Sequence, residues 1–210
     1  MRITAISDLH GHFPQLEGGD LLIVGGDLTA RDTIYEHAEF LGWLNLQPYK
    51  KKIFIAGNHD NNADKKFEWD ESISYLCDSG TEFEGLKIWG SPWTKTFPGI
   101  NPHCKAFTVD TEEELEEKWD LIPEDIDILI THSPPYGILD KNSKQEHCGS
   151  ESLFKELYRI KPKLHVFGHI HESYGILGNL PEHYSINQFV NASHVNERYQ
   201  PVNSPVRIIL

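Results

Sequence analysis

The stretch that decides the fold is Leu21–Thr29, with the sequence LLIVGGDLT. Four consecutive apolar residues are typical of a strand that is buried on both faces. The two glycines that follow let the backbone turn sharply where a side chain would obstruct it. A carboxylate, Asp27, comes directly after this turn. The stretch therefore predicts a buried strand with an acidic side chain at its carboxyl end.

Four other short apolar runs end in the same way, each followed by side chains that can bind a metal ion. Because the carboxyl ends of the strands form the ligand crevice in open α/β sheets, we expect these side chains to converge on one site. The runs are 3–6, followed by Asp8 and His10; 53–56, followed by Asn58, His59 and Asp60; 126–130, followed by His132; and 164–167, followed by His169 and His171.

The remaining segments alternate between helical and extended patterns. Together they predict an α/β fold of two packed mixed sheets flanked by helices, in a single domain over residues 1–210. We expect helices at 33–47, 111–119 and 150–160; a hairpin at 81–89; antiparallel strands at 174–177, 186–190 and 206–210; irregular or helical structure at 61–77; and loops at 98–102 and 137–149.

Composition narrows the class of protein. The formal net charge of −13 argues against binding to extended nucleic acid, which requires clustered Lys and Arg. No apolar run approaches the roughly 18 residues that span a bilayer, so no membrane partner is expected.

The cysteines and the position of the first strand bear on the cellular compartment. The three cysteines have no C-x-x-C spacing, and the first predicted strand begins within two residues of Met1. We therefore expect no signal peptide and a reducing, cytoplasmic location. The pattern gives no indication of the oligomeric state.

The spacing of the histidines indicates a pair of ions. In an extended chain, residues two apart face the same way and lie roughly 6.5 to 7 Å apart. His169 and His171 can therefore each serve one ion of a pair about 3.5 to 4 Å apart, and Asp8 and His10 repeat the spacing. Carboxylate, amide and imidazole ligands suit two divalent ions, with Mn favoured and Fe, Zn, Co or Ni also compatible.

The five polar blocks resemble, in order, the signature blocks of the calcineurin-like metallophosphoesterases. Further segments at 86–93, 130–137, 165–175 and 190–193 are similar to the MPPED group, the relatives of brain protein 239. The resemblance implies a four-layer α/β/β/α sandwich of two mixed sheets with a dinuclear centre. It assigns Asp8, His10, Asp27 and His171 to the first ion, and Asp27, Asn58, His132 and His169 to the second, with Asp27 as the bridge.

The implied activity is hydrolysis of small phosphodiesters, with cyclic nucleotides as the candidate class, by a metal-bridging hydroxide. Asp27 and His59 are the expected catalytic residues, with His59 assisting the leaving group. Asn58 and His59 are expected to contact the substrate, as are three residues that follow ligand-bearing blocks: His12, Phe13 and Tyr136.

Alternatives remain open: a phosphomonoesterase or protein phosphatase, a nuclease, or a non-catalytic metal-binding scaffold. The chain also departs from the protein Ser/Thr phosphatases, whose second block has an aspartate and an arginine where this chain has Ala30 and Arg31. His59 therefore lacks that carboxylate partner, and the group that fixes its tautomer is left open.

Overall fold

The structure is a computed structural model that describes residues 1–63, 70–97, 104–178 and 188–210. The helices are α1 (Ile34–Leu46), α2 (Glu112–Trp119) and α3 (Glu151–Ile160). The strands are β1 (Arg2–Ile6), β2 (Gly19–Val24), β3 (Tyr49–Phe54), β4 (Ile73–Tyr75), β5 (Ser79–Phe83), β6 (Leu86–Ser91), β7 (Thr94–Lys95), β8 (Thr108–Val109), β9 (Ile128–Thr131), β10 (Leu164–Phe167), β11 (Gly175–Gly178), β12 (Gln188–Asn191) and β13 (Val206–Ile209).

The larger strands form two mixed sheets. The first has the order β13-β1-β2-β3-β4, in which β1 to β4 are parallel and β13 is an antiparallel edge. The second has the order β11-β12-β10-β9-β6-β5, with β11 and β5 antiparallel at its two edges. The prediction of two mixed sheets is therefore confirmed.

Alternation along the strands builds four layers. Ile3 and Ile23 point between the sheets, where they pack with residues of the second sheet such as Ile130. Their neighbours Leu22 and Val24 face the opposite way, against α1. On the outside of the second sheet, a separate cluster joins strand residues to α2 and α3: Leu115, Trp119, Leu129, Leu153, Leu157, Phe167 and Phe189. The order of layers is helix, sheet, sheet, helix, as the sequence predicts.

Each helix begins at a side-chain cap. Thr33 and Glu36 form a capping box at α1, and Thr111 and Glu114 form the same arrangement at α2. Ser150 caps α3 by accepting a hydrogen bond from the Leu153 backbone N–H. The three predicted helices therefore occur, with ends within one residue of the predicted bounds.

Three strand predictions need correction. Residues 73–75 form β4, although 61–77 was expected to be irregular or helical; three residues are too few to give a periodic signal. β3 begins at Tyr49 instead of residue 53, because its first half is a run of lysines that hides the pattern. β12 pairs antiparallel with β11 but parallel with β10. The predicted loop at 98–102, the start of the strand predicted at 186–190 and positions 64–69 of the segment 61–77 lie outside the described residues.

Within the described parts of the chain, no helix has the length and apolar character needed to cross a membrane.

Two glycines provide a matched test of the packing. A Cβ at Gly90, in β6, would lie 2.5 Å from the Leu76 Cβ and 2.7 Å from the Ile55 Cγ2, whereas a Cβ at Gly42, in α1, would meet nothing within 4 Å. We expect Gly90→Ala to lower the free energy of unfolding by about 1–3 kcal/mol through overpacking. Gly42→Ala should raise it by about 0.5–1 kcal/mol through helix propensity. Urea unfolding measures both, and equal effects would contradict the packing described.

Candidate metal centre

The turns that follow the parallel strands of both sheets are joined by backbone hydrogen bonds. The Asp8 N–H donates to the Gly26 carbonyl at 2.9 Å, which links the turns after β1 and β2. The Gly168 N–H donates to the His132 carbonyl at 3.2 Å, which links the turns after β10 and β9. The Ser7 N–H donates to the Ala192 carbonyl at 2.8 Å and connects the two sheets. The strand ends of both sheets therefore meet at one place.

The predicted ligands form two groups that share one carboxylate. In each group, one ligand atom from every residue lies within 4.8 Å of the others. Asp27 belongs to both groups, which places it between two candidate ion positions. The first group is Asp8, His10, Asp27 and His171, and the second is Asp27, His132 and His169. Asn58 lies beside the second group, with its Oδ1 at 3.1 Å from the His132 Nε2.

Buried nitrogens without partners show that these groups fit metal ions. Both ring nitrogens of His10 and the Nε2 of His169 are buried and have no hydrogen-bond partner. Such atoms are rare in folded proteins because an unsatisfied buried polar group carries a desolvation cost. Coordination by a divalent ion would satisfy the His169 Nε2 and one His10 nitrogen. The donor set of imidazole, carboxylate and amide groups is also the chemistry that such ions accept.

Backbone carbonyls orient two of the imidazoles. The Nδ1 of His132 lies 3.0 Å from the Gly25 carbonyl, and the Nδ1 of His171 lies 3.1 Å from the Asn196 carbonyl. A carbonyl can only accept, so each Nδ1 must carry the hydrogen. The two Nε2 atoms then face Asp27 and Asp8, at 3.4 and 3.2 Å from carboxylate oxygens. This is the usual way in which outer hydrogen bonds orient metal-binding histidines.

The electrostatics divide the four histidines into two pairs. Burial, with repulsion from His132, lowers the pKa of His169 to about 3, and burial likewise lowers the pKa of His10 to about 4 against the attraction of Asp27. Burial also opposes charge on His132, but the Asp27 carboxylate outweighs it and raises the pKa to about 9. Burial also opposes charge on His171, but its hydrogen bond and attraction to Asp8, together with the attraction of Asp27, outweigh burial and raise its pKa. The protonated imidazoles of His132 and His171 must therefore each release one proton when metal ions bind.

The backbone at the ligands lies in an unusual conformation. Asp8, His10, Asp27 and His169 have φ values of 53°, 43°, 50° and 69°, in the left-handed region that L residues rarely occupy. Strained residues of this kind cluster at functional sites. Hydrogen bonds hold the Asp8 carboxylate in place: it accepts from the His169 N–H at 3.1 Å and from the Ser193 hydroxyl at 2.8 Å.

Two glycines are required by the close approach of carboxylates. A Cβ at Gly57 would lie 2.2 Å from the Asp27 Oδ1, and a Cβ at Gly168 would lie 2.1 Å from the Asp8 Oδ2. Asp60, fully buried, adds a further restraint, because its oxygens accept from the backbone N–H groups of Leu28 and Gly57. It thereby ties the turn after Asp27 to the turn that carries Asn58.

His59 lies at the edge of the two groups. Its backbone N–H donates to the Asp27 Oδ1 at 2.9 Å, and its Nε2 is 4.0 Å from the Asp27 Oδ2. Its ring packs edge-on against His10, with centroids 4.7 Å apart. On the other side of the ring, the Nδ1 lies 3.3 Å from the Sγ of Cys104. Nothing in the sequence pattern pointed to Cys104.

Tyr199 is a second residue that the sequence pattern missed. Its ring centroid is 4.8 Å from that of His10 and 5.4 Å from that of His171, both in edge-on contacts. It belongs to an irregular segment between β12 and β13, where no periodicity marks a position. The only available signal was that this segment follows a strand end, as the predicted ligands do.

The other predicted substrate contacts lie in different places. His12 is exposed, and its Nε2 is 3.1 Å from the Tyr199 carbonyl. Phe13 stacks on Trp43, with centroids 5.5 Å apart, in the cluster beneath α1, so it is not among the residues that meet at the centre. Tyr136 lines a cavity of about 420 Å³ together with Phe97, whose ring lies 5.7 Å from His169. Contact of these residues with substrate stays a prediction.

Comparison with known proteins agrees with this geometry. The sequence profile of the calcineurin-like phosphoesterases matches residues 1–173. The chain belongs to the calcineurin-like phosphoesterase family. This phosphoesterase is 38% identical over 240 residues to human metallophosphoesterase domain-containing protein 1, an alignment covering 100% of this chain and 71% of the relative. It is 32% identical to a UPF0046 protein of Caenorhabditis elegans, over 98% of this chain and 79% of that protein.

The fold comparison gives the same result. A solved crystal structure that is 14% identical superposes on this phosphoesterase with a TM-score of 0.64, covering 90% of this chain and 89% of the other. At that identity the likeness concerns the fold alone. Family membership supports a hydrolase that acts on phosphoesters, and the family typically binds divalent metals.

Asp27 provides the direct test of a two-ion centre. Because it is common to both ligand groups, we expect Asp27→Ala to reduce the metal content from two ions per chain to one or none after purification in Mn-supplemented medium. Elemental analysis measures this. Asp125→Ala, which removes an exposed carboxylate paired with Lys87, is the matched control and should retain two ions. Two ions retained in Asp27→Ala would rule out the shared carboxylate.

Proposed function

We propose that this phosphoesterase holds two divalent ions, with manganese favoured, and hydrolyses small phosphodiesters, cyclic nucleotides being the candidate natural class. The observation that carries the proposal is the charge of the ligand set. Its seven residues include two carboxylates, Asp8 and Asp27, so two divalent ions would leave the centre at about +2. That charge suits the single negative charge of a diester.

A monoester would make a further demand. It arrives as a dianion and is usually held by an additional fixed cation, above all an arginine that can make two parallel hydrogen bonds. Around the five polar blocks of the sequence, only Arg31 could supply such a cation. Arg31, which follows the turn after β2, is exposed to solvent instead of being buried with the ligands. The charge balance therefore favours the diester.

The residues of the chain would divide the work as follows. Two bound ions would supply the positive charge that binds the phosphate and the acidity that activates a water molecule. Asp27 would hold both ion positions at a fixed separation. Asn58 would offer its amide beside the second position, and His59 would present its Nε2 to the leaving oxygen. The 4.0 Å between that Nε2 and the Asp27 carboxylate supports a role for His59 next to the reacting group.

The cavity beside the centre supports a substrate with a flat organic group. Phe97 contributes to its wall and also contacts His169, so a phosphate at the second ion position could extend past this ring towards Tyr136. Glu112 and Glu151 line the cavity together with Lys95, so the lining has a net negative charge that disfavours a second phosphate. We therefore propose a small phosphoester as the partner and no extended nucleic acid. The cysteine pattern supports a cytoplasmic location.

The substrate class can be tested with a matched pair of esters. We expect kcat/KM for bis-p-nitrophenyl phosphate to exceed that for p-nitrophenyl phosphate by about tenfold, at one Mn concentration and one pH, because the seven predicted ligands include no cationic side chain for the dianion. Asp27→Ala serves as the control for contaminating phosphatases and should be inactive on both esters. A higher kcat/KM for the monoester would overturn the assignment.

Tyr136 tests the cavity. If its ring packs on an aromatic group of the substrate, Tyr136→Ala should raise KM for bis-p-nitrophenyl phosphate by about 2- to 10-fold, the usual strength of an aromatic contact. KM for methyl p-nitrophenyl phosphate, which lacks the second ring, should change less. Tyr35→Ala, at an exposed position on α1, is the control variant. Equal changes for the two esters would show that the cavity does not receive the second ring.

A further inference from the structure

His59 has a sulfur partner where a carboxylate would be expected. Its Nδ1 lies 3.3 Å from the Sγ of Cys104, within hydrogen-bonding distance for sulfur. Position 30, which would supply the carboxylate in the protein Ser/Thr phosphatases, is alanine and has no polar side chain. Cys104 is half-buried beside the ring.

The chemistry of the two groups sets the direction of this hydrogen bond. Burial and the negative charge of Asp27 raise the pKa of Cys104, so the thiol keeps its hydrogen. A thiol is a weak donor and its sulfur a weak acceptor, whereas an imidazole nitrogen with a lone pair accepts strongly. The S–H therefore donates to Nδ1, and a neutral His59 carries its own hydrogen on Nε2.

We propose that Cys104 is a positioning residue: its thiol donates to the His59 Nδ1 and holds the imidazole in the tautomer that presents Nε2–H to the reacting phosphate. The inference rests on the proposed role of His59 beside the leaving group. Cys104 itself does not contact the substrate.

The backbone contacts of His59 do not determine the tautomer of its ring. The backbone of His59 is held on both sides, because its N–H donates to Asp27 and its carbonyl accepts from the Thr29 hydroxyl at 3.4 Å. The Ala106 N–H donates to the Asn58 carbonyl at 3.2 Å, which ties the segment that carries Cys104 to the same turn. These bonds fix the main chain, but none of them involves the ring nitrogens. The Asp27 carboxylate, 4.0 Å from Nε2, attracts a hydrogen on that nitrogen but is too distant to form a hydrogen bond. The Cys104 contact is the hydrogen bond that sets the tautomer.

The tautomer has a chemical consequence. A neutral imidazole with Nε2–H can donate a hydrogen bond to the leaving oxygen, but giving up that proton would leave an imidazolate. A carboxylate partner would instead favour the imidazolium ion, which can release a proton. With a thiol as partner, His59 stabilises the charge that develops on the leaving oxygen through a hydrogen bond.

Nitrogen-15 NMR of the zinc-loaded, histidine-labelled protein measures the tautomer directly, with His59→Ala to assign the signals. We expect His59 to show a protonated Nε2 and an unprotonated Nδ1. Cys104→Ser keeps a hydrogen-bond donor and should preserve this pattern, whereas Cys104→Ala should give a mixture of tautomers. A protonated Nδ1 in the unmodified protein would overturn the proposal, whatever the substrate proves to be.

Kinetics on bis-p-nitrophenyl phosphate with Mn supply the second readout. Cys104→Ala should lower kcat about tenfold, the usual effect of losing one orienting hydrogen bond, with KM within about twofold. Cys104→Ser should stay within about threefold of the unmodified protein, and Cys77→Ala is the matched cysteine control. In the His59→Ala background, Cys104→Ala should cause no further loss. A full further tenfold loss in that background would show that Cys104 acts independently of His59 and overturn the proposal.

Two outcomes separate this inference from the proposed function. If His59→Ala turns over the diester as fast as the unmodified protein, the role of His59 in the reaction fails, while the NMR signals still decide whether the thiol sets its tautomer.

Cys104→Ala could lower the urea midpoint while Cys104→Ser does not. The test then rests on Cys104→Ser, and a mixture of tautomers in that folded variant would count against the proposal.

Discussion

The Asp27 carboxylate is the constraint on which the rest of the site depends. It is almost completely buried, and an ionised carboxylate in that position must be compensated by nearby donors or cations. The His59 backbone N–H supplies one donor, and the imidazoles of His10 and His132 lie at 3.6 and 3.4 Å. Because His132 is held on a carbonyl and the ring nitrogens of His10 have no hydrogen-bond partner, metal ions would compensate the Asp27 charge best.

The two sheets make this placement possible. Their parallel strands bring turns from distant parts of the chain to one edge. Backbone hydrogen bonds between those turns hold the main chain in place independently of the ligand side chains. Left-handed residues at the ends of the strands aim successive side chains inward within a few residues. Gly57 and Gly168 then allow the main chain to pass against the carboxylates. Packing of the apolar core between the two sheets holds these residues in their strained backbone conformation.

Much of the fold and of the ligand set could be predicted because both depend on short local patterns. Apolar runs locate the buried strands, and the polar residues that follow them locate the centre, since strand ends meet in this architecture. β4 could not be predicted because a strand of three residues is too short to show an alternation of apolar and polar side chains. Cys104 and Tyr199 could not be predicted because they lie on irregular segments whose path is set by tertiary packing. The stacking of Phe13 on Trp43 could not be predicted either, because the two residues are thirty positions apart in the sequence and meet only through tertiary packing.

The charge around His59 gives a reason for a thiol at position 104. Burial and the negative charges of Asp27 and Asp32 already raise the pKa of the Cys104 thiol. A further carboxylate there would add repulsion to the cluster and reduce the positive charge that the centre can present to a phosphate. A neutral thiol satisfies the His59 Nδ1 without that cost. A thiol at position 104 therefore adds no negative charge beside the centre of about +2 that we propose to bind a singly charged diester.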